Sequence, residues 1–248
     1  MSISRHLPAQ GAYNIRDLGG YKTASGGSIP WRRFLRSDSL HRLEQGEPQR
    51  LHAVGLQKVI DLRTPAEMTE KPSPFERYAE VQFLNLPLFD DLSPAALAKS
   101  RSHGDDPLFS FYMAALDTRG PAIRTILTEI ATVERGAVLF NCTAGKDRTG
   151  IIAALLLGVA EVSHDQIVAD YTLTAELIPD LVTEFLALSR ARGGDTETYA
   201  KMLQSPANTM ARTLEKVETR HGSVPGYLKS IGMPADEISA LRRKLIAP

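Results

Sequence analysis

The chain has 248 residues, 43% of them hydrophobic and 23% charged, and its 29 Lys and Arg are matched by 29 Asp and Glu for a formal net charge of zero. That apolar content builds a substantial core, which excludes disorder and small stapled scaffolds, and the absence of a basic excess argues against a general nucleic-acid or membrane-surface binder. The single cysteine, Cys142, excludes an intramolecular disulfide and any metal site built on paired cysteines.

In chain order, Met1 to Asp17 carries Arg5, His6 and Arg16 but no apolar run of the signal-peptide kind, so a cytoplasmic protein is expected. Residues 13–40 are rich in Gly and Arg, and Ala24–Ser28 reads as a tight turn between short strands. A weak helical pattern over Gln49–Val54 ends at Gly55, and the apolar, β-branched run Lys58–Leu62 predicts a buried strand. Thr64 suits an N-cap, Pro65 the first helical position, and Glu67 closes a capping box, so a helix begins directly after the strand. Val81–Leu86 reads as a strand stopped by Pro87. Residues 88–107 form a polar excursion with some helix near 94–100, and 88–118 is marked as an insert that could close over a site. Helices are predicted over 109–116 and 121–134, separated by Gly120. A buried strand follows at 136–140, then helices at 149–160, 164–174, 176–191, 206–221 and 234–246. The most apolar stretch, Ile151–Ala160, is ten residues long against roughly 20 for a bilayer span, and reads as a core helix with no integral membrane segment. Strands alternating with helices, then helices to the end, predict one α/β domain over 1–248, with helices on both faces of the sheet and a short arm at 1–11.

The informative segment is Phe140-Asn141-Cys142-Thr143-Ala144-Gly145-Lys146-Asp147-Arg148-Thr149-Gly150. A strand leads into a short loop that opens an apolar helix. Orphan N–H groups and the helix dipole make such a helix start an anion site, and the same field activates a nearby thiol. Gly145 permits a turn that a side chain would obstruct. Arg148 can fold back and offer a planar fork to a tetrahedral oxyanion. Together these residues suit a thiolate nucleophile facing a phosphate held by backbone amides and an arginine.

The Cys-x5-Arg-Thr-Gly loop resembles the signature of the cysteine-dependent tyrosine and dual-specificity phosphatases. Its Cys-x-Ala-Gly-Lys-Asp-Arg-Thr-Gly form is similar to the bacterial enzymes of the mycobacterial and listerial kind. Asn14-Ile15-Arg16-Asp17-Leu18-Gly19-Gly20-Tyr21, Arg36-Ser37-Asp38-Ser39-Leu40, Val59-Ile60-Asp61-Leu62-Arg63-Thr64, Ile167-Val168-Ala169-Asp170-Tyr171 and Gly226-Tyr227-Leu228 carry the resemblance from about residue 12 to 245. It implies a cysteine-phosphatase-like fold with a mostly parallel central sheet and a helix-rich carboxy-terminal half. It also implies a phosphocysteine on Cys142, with Arg148 and the amides of Thr143, Ala144, Gly145, Lys146 and Asp147 holding the phosphoryl oxygens. Thr149 either hydrogen-bonds the thiolate or simply caps backbone. The family has His before the nucleophile where this chain has Asn141, which hydrogen-bonds but carries no charge.

A positioned Asp is the usual proton donor to the leaving oxygen. Asp61, at a strand's carboxyl end, is the first choice, against an alternative of a strand-end cap or an ion pair with Arg63. Asp147 is the second, while Asp90, Asp91, Asp105 and Asp106 read as a solvated loop. Lys146 would place a second cation at the pocket and favour substrates with more than one phosphate, and Arg32, Arg33 and Arg36 either add to that field or form a solvated edge. The expected substrates are phosphotyrosine, phosphoserine or phosphothreonine proteins, or phosphoinositides. Two rival readings are a rhodanese-like sulfurtransferase and a phosphate-binding pseudophosphatase. The six histidines show no ligand spacing, so no metal or cofactor is implied, and nothing in the sequence specifies an oligomeric state.

Overall fold

The computed structural model describes residues 4–89 and 106–246. Its sheet has five strands: β1 (Arg16–Asp17), β2 (Phe34–Ser37), β3 (Leu56–Asp61), β4 (Gln82–Asn85) and β5 (Ala137–Asn141), in the order β1-β2-β5-β3-β4. Only the short edge strand β1 is antiparallel to its neighbour. A parallel sheet is covered on both faces, so its central strand is apolar on both sides. Accordingly every residue of β5 is buried. Val138, Phe140 and Cys142 join the larger cluster, while Ala137 and Leu139 point into a smaller one with Leu35, Leu51 and Phe75.

Eleven α-helices lie among the described residues. The first six are α1 (Glu47–Ala53), α2 (Pro65–Glu70), α3 (Pro107–Thr118), α4 (Gly120–Ala131), α5 (Asp147–Val159) and α6 (His164–Leu177). The others are α7 (Pro179–Ala191), α8 (Thr196–Leu203), α9 (Ala207–His221), α10 (Val224–Ser230) and α11 (Ala235–Ile246). Helix α5 is buried almost all round, as a helix apolar on every face must be. No helix among the described residues is long and apolar enough to cross a membrane.

The predicted α/β plan holds, with local differences. The capping box at Thr64 and Glu67 is present in both directions. Around 24–28 the expected strands are only isolated bridges, Lys22 to Ser28 and Thr23 to Val162. Helix α8 sits between Gly193-Gly194 and Ser205-Pro206, started by Asp195, whose carboxylate accepts from the N–H groups of Glu197 and Thr198. Helix α10 is similarly short and starts on the Ser223 cap; neither is long enough to leave a readable period. Gly120 is the first residue of α4 and the break falls at Arg119; the glycine is needed for packing, since a Cβ there would stand 2.9 Å from the Ile231 side chain. The helix predicted near 94–100, with Asp90, Asp91 and Asp105, lies outside the described residues.

Register places Ser37, Asn141 and Asp61 side by side at the carboxyl ends of β2, β5 and β3. Sites of open α/β sheets gather at such ends.

Candidate active site

The loop from Cys142 to Lys146 leaves β5 and enters α5, and each of its last four carbonyls is engaged from outside. Ser39 N–H donates to Thr143 O at 3.1 Å, and Gly150 N–H donates to Lys146 O at 2.8 Å. Asn14 Nδ2 donates to Ala144 O at 3.0 Å and to Gly145 O at 3.3 Å, and Arg36 Nη2 donates to Gly145 O at 2.7 Å. The N–H groups of Thr143 to Arg148, by contrast, have no acceptor among the described residues. Buried amides are normally paired, so this row is built for an acceptor the protein does not supply. Gly145 makes the curl: its φ is +67°, and a Cβ would lie 2.5 Å from Ser37 O.

Cys142 is 3% exposed, at the floor of this curl. Arg148, on the first turn of α5, folds back onto Glu67 of α2. Its Nη1 meets Glu67 Oε2 at 2.7 Å, and its Nη2 meets Oε1 at 2.8 Å and Thr143 Oγ1 at 2.9 Å. Arg148 Nε and the Thr149 hydroxyl are both buried without partners among the described residues. Burial lowers the Arg148 pKa, but hydrogen bonding to Glu67 and the charges of Cys142, Glu67 and Asp147 more than reverse this and keep it cationic. Glu67 is pushed up by burial, yet Arg148, Thr143 Oγ1 and Thr64 N–H together pull it down to about 2.

The sequence candidates divide sharply. Cys142, Thr143, Ala144, Gly145, Asp147, Arg148 and Thr149 converge on the loop. Asp61 does not present a free carboxyl: it is fully buried and takes Arg63 N–H, Nε and Nη2 at 2.8 to 3.1 Å. The alternative ion pair with Arg63 is the geometry observed, and both oxygens are spent on it. Asp147, first residue of α5, keeps 12% of its side chain exposed while accepting from Tyr112 Oη at 2.6 Å and lying 3.3 Å from Lys146 Nζ. Asp106 caps α3 and binds Thr209.

Lys146 corrects the expectation of a second pocket cation. Its ammonium donates to Met202 O and, at 3.0 Å, to Gln204 O, the free carbonyls at the end of α8, and its side chain is 2% exposed. A cation belongs at a helix carboxyl end. Arg33 is likewise turned to Glu134 O, and of the three clustered arginines only Arg36 reaches the loop, from behind. Sequence reasoning missed Glu67 as the partner of Arg148, because the capping box already explained that residue. It also missed the partnership of Tyr112 with Asp147, which no spacing announces. A cavity of about 240 Å³ opens beside the loop, walled by Thr143, Glu67, Arg42, Lys71, Arg192 and Phe185. Leu181 of α7 and Ile178, which precedes that helix, pack against Ala144.

Residues 7–247 match the model of a tyrosine phosphatase family. A protein of Nostoc commune named tyrosine-protein phosphatase is 32% identical over 223 residues, covering 88% of this chain and 76% of that one. The triple specificity protein phosphatase PtpB of Mycobacterium tuberculosis is 29% identical, over 98% of this chain and 99% of its own. Among solved structures, P. aeruginosa TpbA aligns with 69% of this chain and 86% of that one, at 18% identity and a TM-score of 0.37.

Proposed function

The chain belongs to the tyrosine phosphatase family, and from that premise we propose that it hydrolyses phosphate monoesters, phosphotyrosine first among them, through a phosphocysteine on Cys142. The observation that carries the reading is the row of N–H groups from Thr143 to Arg148, directly after Cys142, that have no acceptor among the described residues. Those donors suit the equatorial oxygens of a phosphoryl group, which gain charge-assisted bonds as the transition state forms.

Arg148 adds its Nε, which has no partner among the described residues, and, by giving up Thr143 Oγ1, one Nη2 hydrogen, while Glu67 keeps hold of the far side of the guanidinium. The Cys142 thiolate attacks phosphorus and the bond to the leaving oxygen breaks. That oxygen takes a proton, which we assign to Asp147 because it stands at the loop with 12% of its side chain exposed, whereas Asp61 is closed off by Arg63. Water then attacks the phosphocysteine, Asp147 takes its proton, and the S–P bond breaks to release inorganic phosphate and the thiolate. Thr149, whose buried hydroxyl beside the loop has no partner among the described residues, is suited to donate to the departing sulfur.

With Lys146 engaged on α8, a preference for multiply phosphorylated substrates finds no support in that residue. Phosphoserine and phosphothreonine are the wider class, since one relative is named for triple specificity. The test is hydrolysis of p-nitrophenyl phosphate and of a phosphotyrosine peptide, in chelator, by the wild type and by Cys142→Ser. The wild type turns both over and the variant neither; activity that survives in Cys142→Ser or demands a metal overturns the reading.

A further inference from the structure

Asn14, Arg16, Arg36 and Asp170 take no direct part in the chemistry above, yet they meet behind the Cys142 loop. Arg36 Nη1 binds Asp170 Oδ2 at 2.5 Å while its Nη2 reaches Gly145 O at 2.7 Å. Arg16 Nε binds Asp170 Oδ1 at 3.1 Å, its Nη2 donates to Asp170 O at 2.8 Å, and its Nη1 holds the Asn14 carbonyl oxygen. Asn14 in turn spends its amide hydrogens on Ala144 O and Gly145 O. Both arginines and the aspartate are 1% exposed. Burying two guanidiniums on one carboxylate is costly and leaves a positive charge over. Asp38, the buried acid that follows β2, makes no ion pair with either arginine among the described residues; it accepts from the N–H groups of Tyr13 and Asn14 and from the Ser37 hydroxyl.

A trans peptide is planar, with its C=O and N–H on opposite sides. A Gly145 carbonyl drawn back to Arg36 therefore sends the Lys146 N–H forward, and an Ala144 carbonyl held by Asn14 does the same for the Gly145 N–H. A carbonyl that accepts from a cation also polarises its peptide and strengthens the opposite donor, by about 10–30% per bond in condensed-phase estimates. We propose that Arg36, anchored on Asp170 and backed by Arg16 and Asn14, is a positioning residue of the phosphatase reaction, aiming the amides of Gly145 and Lys146 at the phosphoryl oxygens. The role rests on the phosphatase reading of the loop. It calls for an arginine, because a single planar fork spans Asp170 and Gly145 O at once, which an ammonium cannot do with the same geometry.

The experiment compares wild type, Arg36→Lys, Arg36→Met and Asn14→Ala. Orthovanadate binding by calorimetry reads the loop without turnover, p-nitrophenyl phosphate hydrolysis reads the reaction, and thermal midpoints report folding. Loss of one charge-assisted bond to the loop weakens vanadate about tenfold to a hundredfold in Arg36→Met. The loss falls on kcat more than on KM, since the amides bind more tightly in the transition state. Arg36→Lys recovers part of both, and Asn14→Ala loses up to about tenfold. A folded Arg36→Met with wild-type vanadate affinity and kcat overturns the proposal. If that variant does not fold, unchanged vanadate affinity in both Arg36→Lys and Asn14→Ala overturns it equally. A wild type that binds vanadate but hydrolyses nothing sinks the phosphatase reading alone.

Discussion

Replacing Glu67 by Gln tests the brace on the catalytic arginine. The carboxylate accepts from Arg148 Nη1 and Nη2, from the Thr143 hydroxyl and from Thr64 N–H at 2.8 Å, whereas a Gln amide would set an NH2 donor against one of those donors. Burial raises the Glu67 pKa and the Arg148 pairing overrides it, so that it falls from 4.5 to about 2. At about 1.4 kcal/mol per pH unit this drop corresponds to about 3 kcal/mol. The side chain is 31% exposed, and solvent screening trims the value to about 1–2 kcal/mol. A carboxylate whose folded value is depressed stabilises fully above its unfolded value and loses that contribution as the pH falls toward the folded one. The wild type should therefore exceed Glu67→Gln by about 1–2 kcal/mol in urea unfolding at pH 7. More than half of that gap should be gone at pH 3, between 4.5 and about 2. With Arg148 unbraced, kcat should also fall by about tenfold or more, one charge-assisted bond being worth at least that. A gap that stays constant or widens on acidification would refute the reasoning, and so would an undiminished kcat.

Asp147→Asn should depress hydrolysis of phenyl phosphate, whose leaving group needs a proton, by about 10²–10⁴, and that of p-nitrophenyl phosphate far less. If Asp61→Asn shows this leaving-group dependence instead, the proton donor is Asp61. Lys146→Met removes the buried donor from the last carbonyls of α8 and should cost about 2–3 kcal/mol. Amide exchange should accelerate in α8 but not in α1, and equal exchange in both helices rules out the clasp. Gly145→Ala forces a left-handed residue to carry a Cβ 2.5 Å from Ser37 O; vanadate binding should be lost, and a variant that binds like the wild type would show that the curl is not needed.

The strand, capping box and helix around residues 58–70, and the strand, loop and helix around 137–159, are legible because each is dictated locally. Thr64 and Glu67 are three apart, as the box requires. Cys142 and Arg148 flank one short loop whose curl Gly145 makes possible. What was not legible depends on partners far along the chain. Asp61 and Asp147 are both acids at suitable positions, and only the reach of Arg63 to the first and of Tyr112 to the second separates them. Lys146 has the composition of a pocket cation, but its direction is set by where α8 ends, and α8 was hidden between two glycines and a proline.

The same distinction explains how the loop tolerates Asn141. That side chain is fully buried and neither of its polar atoms has a partner among the described residues, a burden of about 1–3 kcal/mol for an unmet polar group. Were residue 141 the keystone of the loop, its orphaned amide would leave the loop carbonyls unheld. They are instead held by Ser39 N–H, Asn14, Arg36 and Gly150 N–H, and the Asn141 side chain hydrogen-bonds none of these among the described residues. What a histidine there would contribute is charge rather than shape. In this chain positive charge reaches the loop from Arg148 in front, from Arg36 behind, and from the amino end of α5. The thiol that the composition singled out is therefore served by residues distant from it in sequence, while the side chain of its neighbour Asn141 makes no hydrogen bond to the loop among the described residues.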